Sequence, residues 1–372
     1  MRRRLTVVQL LPALESGGVE RSTLEIAAAL VAAGHRAIVV SAGGRLLPAL
    51  HEFGGEHVTL DIGRKSPAVL AQVPALRALF LREGVDIVHA RSRLPAWLGR
   101  IALRTLPAQR RPHWITTVHG LNSPSRYSAV MASGERVVCV SETVRDYVLR
   151  HYPQTDPGKL RVIPRGIDPM QFPRRPHPDP DARAEFAREH SALAGHGPLL
   201  LLPGRGTRLK GHADALQLLA ALRAGPFPDA QLWLPGAREA GRGGYIGELE
   251  AQAVQLGIGD AVLFTAPTSR IAQAYAASDL VLQLSRKPEA FGRTVIEALS
   301  VGRPVLGWAH GGVGELLDQL QPQGEVAPFD AAALATAAAT LLRAPPRAPD
   351  TIPYTLQAMQ QATLELYAEL AG

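Results

Sequence analysis

Twice along this chain, short runs of β-branched and apolar residues alternate with stretches of helical periodicity. That alternation admits few folds other than a parallel sheet with helices on both faces. In the first half, strands are predicted at 6–11, 37–41, 57–60, 85–89, 114–118, 136–140 and 160–163, with helices over 20–33 and 143–150. The pattern then stops at FPRRPHPDPD, residues 172–181, where closely spaced prolines favour a linker over a helix or a central strand. It restarts with a strand at 198–202, a helix over 212–223, a helix over 245–255, strands at 262–265 and 280–284, and helices over 293–301 and 330–342. A final helix, 353–370, follows the proline-rich hinge at 345–349. At 372 residues the chain exceeds what one core serves, so two α/β domains of the doubly wound class are expected.

Ligands of such sheets collect beyond the carboxyl ends of the strands, so the residues there carry the functional argument. Gly17 and Gly18 follow the first strand and open a helix, which lets the backbone approach a diphosphate or a sugar. No Gly-x-Gly-x-x-Gly follows, which argues against a dinucleotide dehydrogenase. His119 ends the strand ITTV. In the second half, GRGTRLKG (204–211) places Arg205 and Lys210 on either side of a glycine-rich turn, where an arginine can grip a diphosphate bidentately and a lysine acts as a compact charge. Beyond the strand at 280–284, Glu289 falls on the loop and Glu297 about a turn inside the next helix. A rise of about 1.5 Å per residue separates them by roughly 12 Å, the span of a sugar nucleotide from ribose to hexose. Between the two carboxylates lies a helix N-terminus, whose free N–H groups favour a phosphate.

These motifs occur in a recognisable order: SGGVER (16–21), VHG (118–120), VIPRGID (162–168), LLPGRGTRLKGH (201–212), PEAFGRTVIEALSVGRPV (288–305) and HGGVGE (310–315). The series resembles the retaining nucleotide-sugar glycosyltransferases of family 4, which have the GT-B fold of two Rossmann-like domains. The resemblance implies an acceptor-binding domain over 1–172, a nucleotide-sugar-binding domain over 173–352, and a terminal helix, 353–372, that crosses back to the first domain. It implies Glu289, Arg205, Lys210 and His119 as the catalytic set, with His119 orienting the sugar or the acceptor. Gly17, Gly18, Phe291, Gly292, Arg293, Thr294, Glu297 and Ala266 then hold the donor, Glu297 at the ribose and the loop at Ala266 beside the base.

The same resemblance implies a nucleotide-sugar co-substrate, a UDP-sugar ahead of a GDP- or ADP-sugar, with no metal or other cofactor. The acceptor expected, with the basic first half in view, is a saccharide or a lipid-linked saccharide of lipopolysaccharide or cell-surface polysaccharide synthesis. Asp179-Pro180-Asp181 matches the Asp-x-Asp metal motif of the other large glycosyltransferase fold, but its flanking prolines read as linker. Two departures from the family pattern stand out: Arg165, where asparagine is usual, and Arg293, where an aliphatic residue is common. Two rivals share the fold: a sugar-nucleotide epimerase, which needs more acid–base groups than can be placed, and a non-catalytic binding subunit, which would have lost some of the four charged residues.

Charge divides the chain further. Residues 1–175 hold 25 Lys and Arg against 13 Asp and Glu, the remainder 15 against 20, so an anionic partner is expected for the first half alone. An anionic membrane surface or a phosphorylated acceptor fits; nucleic acid does not, since aromatics are 5% and no recognition motif accompanies the charge. The segment WLGRIALRTLPAQRR (97–111) is a candidate for lying on lipid. The opening MRRRLTVVQLLPAL has a signal-like basic start, yet Gln9 and Pro12 interrupt its apolar run and a first strand explains it better. The single Cys139 points to a reducing, cytoplasmic setting, with peripheral attachment to the inner face of the membrane as an extension of the charge argument.

Overall fold

The computed structural model describes residues 3–15, 17–239 and 243–372, so Ser16, the first residue of SGGVER, lies outside the described residues. The chain forms two compact units: residues 1–166 with 356–372, and residues 167–355.

In the first unit the order is β1 (Thr6–Leu10), α1 (Gly18–Ala32), β2 (Arg36–Ser41), α2 (Leu47–Glu52), β3 (Glu56–Thr59), α3 (Val73–Arg82) and β4 (Ile87–Ala90). There follow α4 (Arg93–Arg104), β5 (His113–Val118), β6 (Arg136–Cys139), α5 (Glu142–His151) and β7 (Leu160–Val162). The strands are parallel in the order β3-β2-β1-β4-β5-β6-β7. Because both faces are covered, the central strands are apolar on both faces rather than alternating, Gln9 and His89 apart: Val7, Val8, Leu10, Ile87 and Val88 are all fully buried. The terminal helix, which the second unit's elements precede in the chain, belongs to this core through Met359, Leu366 and Tyr367.

The second unit starts at α6 (Pro180–Glu189) and continues β8 (Leu199–Leu201), α7 (His212–Arg223), β9 (Gln231–Pro235), α8 (Gly243–Gln255), β10 (Val262–Thr265), α9 (Ile271–Ala277) and β11 (Leu280–Gln283). It closes with α10 (Arg293–Val301), β12 (Val305–Trp308), α11 (Gly311–Leu320), β13 (Glu325–Val326) and α12 (Ala331–Arg343); the terminal helix is α13 (Leu356–Ala371). Its six strands are also parallel, in the order β10-β9-β8-β11-β12-β13. The fold class is thus α/β with two Rossmann-like parallel sheets.

The proline-rich stretch is ordered differently from a plain linker. Pro180 begins α6, and the Asp179 carboxylate caps it by accepting from the Ala182 N–H at 3.0 Å. A proline costs nothing at the first turn of a helix, where its missing N–H has no intrahelical partner. The residues before it are strapped to the second unit. Phe172 is buried, its carbonyl accepts from Ser300 Oγ at 2.7 Å, and the fully buried Arg303 donates to the carbonyls of Pro176, Arg175 and Ala276. The Asp-x-Asp sequence is therefore a helix cap and a first-turn residue.

In the segment at 97–111, Leu98, Gly99, Ala102 and Leu103 of α4 are buried in the first unit, and Trp97 Nε1 donates to the Tyr127 carbonyl at 2.9 Å. At the surface, α4 and the following turn expose Arg104, Arg110 and Arg111 among the neutral Thr105, Pro107, Ala108 and Gln109. No helix among the described residues is long and apolar enough to cross a membrane.

Candidate active site

In the second unit, the loop after β8 and the loop after β11 are joined by an ion pair. Lys210 Nζ donates to Glu289 Oε1 at 2.6 Å. The same carboxylate accepts from Ser285 Oγ and, at 3.3 Å, from Gln283 Nε2. Both partners keep part of their side chains in solvent, 32% for Lys210 and 24% for Glu289, so the pair is open to an incoming ligand. Arg205, on the same loop as Lys210, is exposed. The next helix, α10, starts from Gly292 in the left-handed region at φ 98°. A side chain there would be strained, and a Cβ would lie 2.9 Å from Val313 Cγ2. The loop is held in place from behind: Gly312 N–H donates to the Glu289 carbonyl at 2.8 Å, and His310 Nε2 lies 2.8 Å from the Ser285 carbonyl oxygen. The glycines of HGGVGE permit this packing, since a Cβ on Gly311 would come within 2.6 Å of the Glu289 carbonyl oxygen.

Glu297 is 7% exposed and is held at both oxygens, by Tyr275 OH at 2.9 Å and by Arg293 Nε at 3.3 Å. Arg293 and Glu297 are one helical turn apart, a spacing that brings side chains together. Burial and the Glu297 charge push the Tyr275 phenol well above its ordinary range, so it stays a donor to the carboxylate. Thr294 lies beside Tyr275. Phe291 is buried and stacks edge-on against Tyr354, with ring centroids 5.6 Å apart. Ala266 is exposed at the exit of β10, its carbonyl accepting from the Gly236 N–H at 3.2 Å.

The first unit assembles a different set. Gln9 on β1 is fully buried; its Nε2 donates to the Thr23 carbonyl at 3.0 Å and its Oε1 accepts from Arg91 Nη2 at 2.5 Å. Arg91, just beyond β4, is 4% exposed and also reaches Ser22 Oγ at 3.5 Å. His89 bridges Tyr367 OH and Thr117 Oγ1, each at 2.6 Å. His119 Nδ1 lies 2.9 Å from Arg165 Nη2. Gly17 and Gly18 begin α1, and a Cβ on Gly18 would stand 2.3 Å from Arg165 Nη1. His89 and His119 are held well below the usual histidine range, first by burial and then by nearby positive charge.

Gln9, Arg91, Tyr275, Gln283 and Ser285 were not among the residues that sequence motifs single out. A signal existed for two of them. Gln9 is a polar residue inside an otherwise apolar strand, and Arg91 stands at the carboxyl end of one. Among the described residues no group of three or more His, Cys, Asp or Glu side chains is placed to hold a metal.

Two all-parallel Rossmann-like sheets, each with polar residues gathered beyond its strand ends, define a protein of the GT-B class. Residues 16–171 match the model of Glycosyltransferase Family 4 and residues 184–357 that of Glycosyl transferases group 1. The chain belongs to the GT-B glycosyltransferases, a family 4 domain followed by a group 1 domain. A crystal structure of a glycosyltransferase from Rickettsia africae is similar at TM-score 0.82, with 27% identity, covering 99% of this chain and 98% of that one. Anabaena HepE in complex with UDP and glucose shares the fold at TM-score 0.82, with 20% identity, over 98% of this chain and 100% of that one. A D-inositol 3-phosphate glycosyltransferase of Xylanimonas cellulosilytica is 35% identical over 187 residues, 50% of this chain and 43% of that protein. One from Catenulispora acidiphila is 30% identical over 250 residues, 61% and 57% of the two chains. The chain spans about half the length of these curated relatives.

Proposed function

We propose that this protein transfers a sugar from a nucleotide-sugar donor, a UDP-sugar in first place, to an anionic acceptor, with retention of anomeric configuration and without a metal. The observation that carries this reading is the partly exposed Lys210–Glu289 pair beside the N-terminus of α10. A diphosphate arriving there competes for Lys210, gains the free N–H groups of the first helical turn, and is within reach of an exposed arginine on the same loop. Releasing Lys210 turns the Glu289 carboxylate toward the sugar hydroxyls. Glu297, fixed by Tyr275 and Arg293, serves the ribose.

The bond from the anomeric carbon to the leaving phosphate oxygen breaks, and the bond to the acceptor oxygen forms on the same face. The acceptor proton passes to that phosphate oxygen. Stabilising the departing nucleoside diphosphate is then the main catalytic contribution, about 3 kcal/mol for each preorganised donor. His119 in the first unit orients the sugar or the acceptor.

The cationic first half supports a phosphorylated or lipid-linked acceptor, as in lipopolysaccharide or cell-surface polysaccharide synthesis, and the inositol-phosphate relatives support a phosphorylated polyol. The test is nucleotide release from UDP-, GDP- and ADP-sugars with lipid-linked saccharide, soluble saccharide or inositol 3-phosphate, with the product anomer read by NMR. Acceptor-dependent release with retention supports the reading. Epimerised donor without release selects the epimerase, and no turnover of any donor selects a binding subunit. Flotation with anionic vesicles at modest salt tests peripheral attachment, which fails if the protein stays with the soluble fraction.

A further inference from the structure

The structure assigns Arg165 as a positioning residue that fixes His119 as a neutral hydrogen-bond donor through Nε2, so that this histidine can recognise only an accepting oxygen. A guanidinium carries five N–H donors and no acceptor. With Arg165 Nη2 at 2.9 Å, His119 Nδ1 must supply the lone pair, and the ring proton therefore sits on Nε2. His119 as a residue is half-buried, and its Nε2 is buried with no hydrogen-bond partner among the described residues. Leaving a buried N–H in this way is costly, and a site recovers that cost when an acceptor arrives.

A second unpartnered donor shares the space. Arg91 Nε is also buried without a partner, and with Ser22, His89, Thr117, His119 and Arg165 it lines a small cavity of about 20 Å³, room for roughly one water or one ligand oxygen. Two unpartnered N–H groups on residues that line it favour an acceptor such as a hydroxyl or phosphate oxygen. The groups facing the ring also resist its protonation: Arg165 after β7, Arg91 after β4 and His89 on β4 are two cations and a neutral imidazole, and burial acts in the same direction.

The glycine pair has a matching role. Gly18 leaves the volume that Arg165 Nη1 occupies, since a Cβ would intrude to 2.3 Å. The arginine at 165 and the glycine at 18 thus form one device, and an asparagine at 165 would be shorter and carry no charge.

The inference builds on the proposed role of His119, but its test reads the ligand-free protein and so survives or fails separately. In protein labelled with ¹⁵N in its imidazoles, long-range ¹H–¹⁵N spectra are expected to show His119 with an unprotonated Nδ1 and a protonated Nε2, unchanged from about pH 8 to pH 5. Arg165→Asn should give a tautomer mixture that titrates nearer the ordinary value of about 6.5, and Arg165→Lys, which keeps a donor, should restore much of the wild-type signature. Gly18→Ala, which moves the guanidinium without removing charge, should reproduce the Arg165→Asn spectrum with an unchanged melting temperature. A wild-type ring that carries its proton on Nδ1, or a spectrum indifferent to Arg165→Asn, overturns the assignment. Where turnover is measurable, kcat/KM of Arg165→Asn should fall below about pH 6.5 while the wild type stays level; a flat profile in the variant also counts against it.

Discussion

The two units place charge beyond their strand ends in opposite ways. In the second, cations sit against carboxylates, Lys210 on Glu289 and Arg293 on Glu297, so the site is close to neutral before a ligand arrives. In the first, Arg91 bonds to an amide and a hydroxyl, Arg165 donates to an imidazole, and the nearby histidines are held neutral. The difference suits different tasks. A paired cation can be released to meet charge that develops as a diphosphate leaves, whereas donors held on an amide, a hydroxyl and an imidazole, with the Glu25 carboxylate acting on Arg91, recognise groups whose charge does not change. The comparison predicts that removing charge from the second unit damages turnover, while changing donors in the first alters recognition.

The sharpest break of that comparison comes from Lys210→Ala and Arg205→Ala. Each should cut kcat by about two to three orders of magnitude, the range for losing one preorganised donor to a developing negative charge. Near-wild-type turnover in both would remove the leaving group from this loop. If the loss appeared in KM alone, the pair would bind donor and transition state equally, and the contrast with the first unit would disappear.

Acid should separate the units next. His212 in the second unit is fully buried and held down to about 4, while in the first unit both His89 and His119 lie well below the ordinary value. Each is a base whose folded pKa is depressed, so the unfolded chain binds more protons below about pH 6.5. The stability these groups lend is complete above that pH and is lost as pH falls toward their folded values, by about 3 kcal/mol for His212 between 6.5 and 4. His57 in the first unit and His177 in the second are lowered in the same way by burial, so with three such groups against two the first unit is expected to unfold at the higher pH. Trp97 and Trp114 report on the first unit and Trp233 and Trp308 on the second, so replacing one pair by phenylalanine lets fluorescence follow each unit. Coincident transitions would show that the acid sensitivities do not differ.

Much of the second unit was legible because its motifs are local. The predicted spans 212–223, 262–265 and 293–301 coincide with α7, β10 and α10, each marked by periodicity and, for the two helices, by flanking glycines. The predicted order of loops also holds, with Lys210 and Glu289 both beyond strand ends. Their mutual ion pair was not legible, because it depends on β8 lying beside β11, a neighbour relation that no local spacing encodes. The helix α6 was obscured for the opposite reason: a local rule, proline as a breaker, outweighed the rarer one, proline at a first helical turn after an aspartate cap. The strand β9 was passed over because Trp233 and Pro235 do not read as the centre of a β-branched run, although Trp233 packs on Phe186 with centroids 4.7 Å apart. In the first unit the glycine pair and His119 were visible as motifs. Their link through Arg165 needed the fold to bring the ends of β5 and β7 to the start of α1.

The smallest effects should come from Glu297 and its support, and they probe whether the second unit's carboxylates are all alike. Glu289 faces solvent in part, but Glu297 is 7% exposed and already accepts from Tyr275 and Arg293. A ligand hydroxyl at Glu297 therefore adds to an existing network rather than displacing a partner. Glu297→Gln removes a charged acceptor, worth about 1.5–3 kcal/mol in a hydrogen bond, and should weaken nucleotide binding by roughly ten- to a hundredfold in calorimetry while leaving kcat nearly intact. Tyr275→Phe removes one donor that orients the carboxylate without touching its charge, so a loss of about 1 kcal/mol, roughly fivefold in affinity, is expected. Affinity unchanged in both variants would take the ribose away from Glu297. A larger loss for Tyr275→Phe than for Glu297→Gln would mean that the tyrosine, rather than the carboxylate, is the group the nucleotide meets.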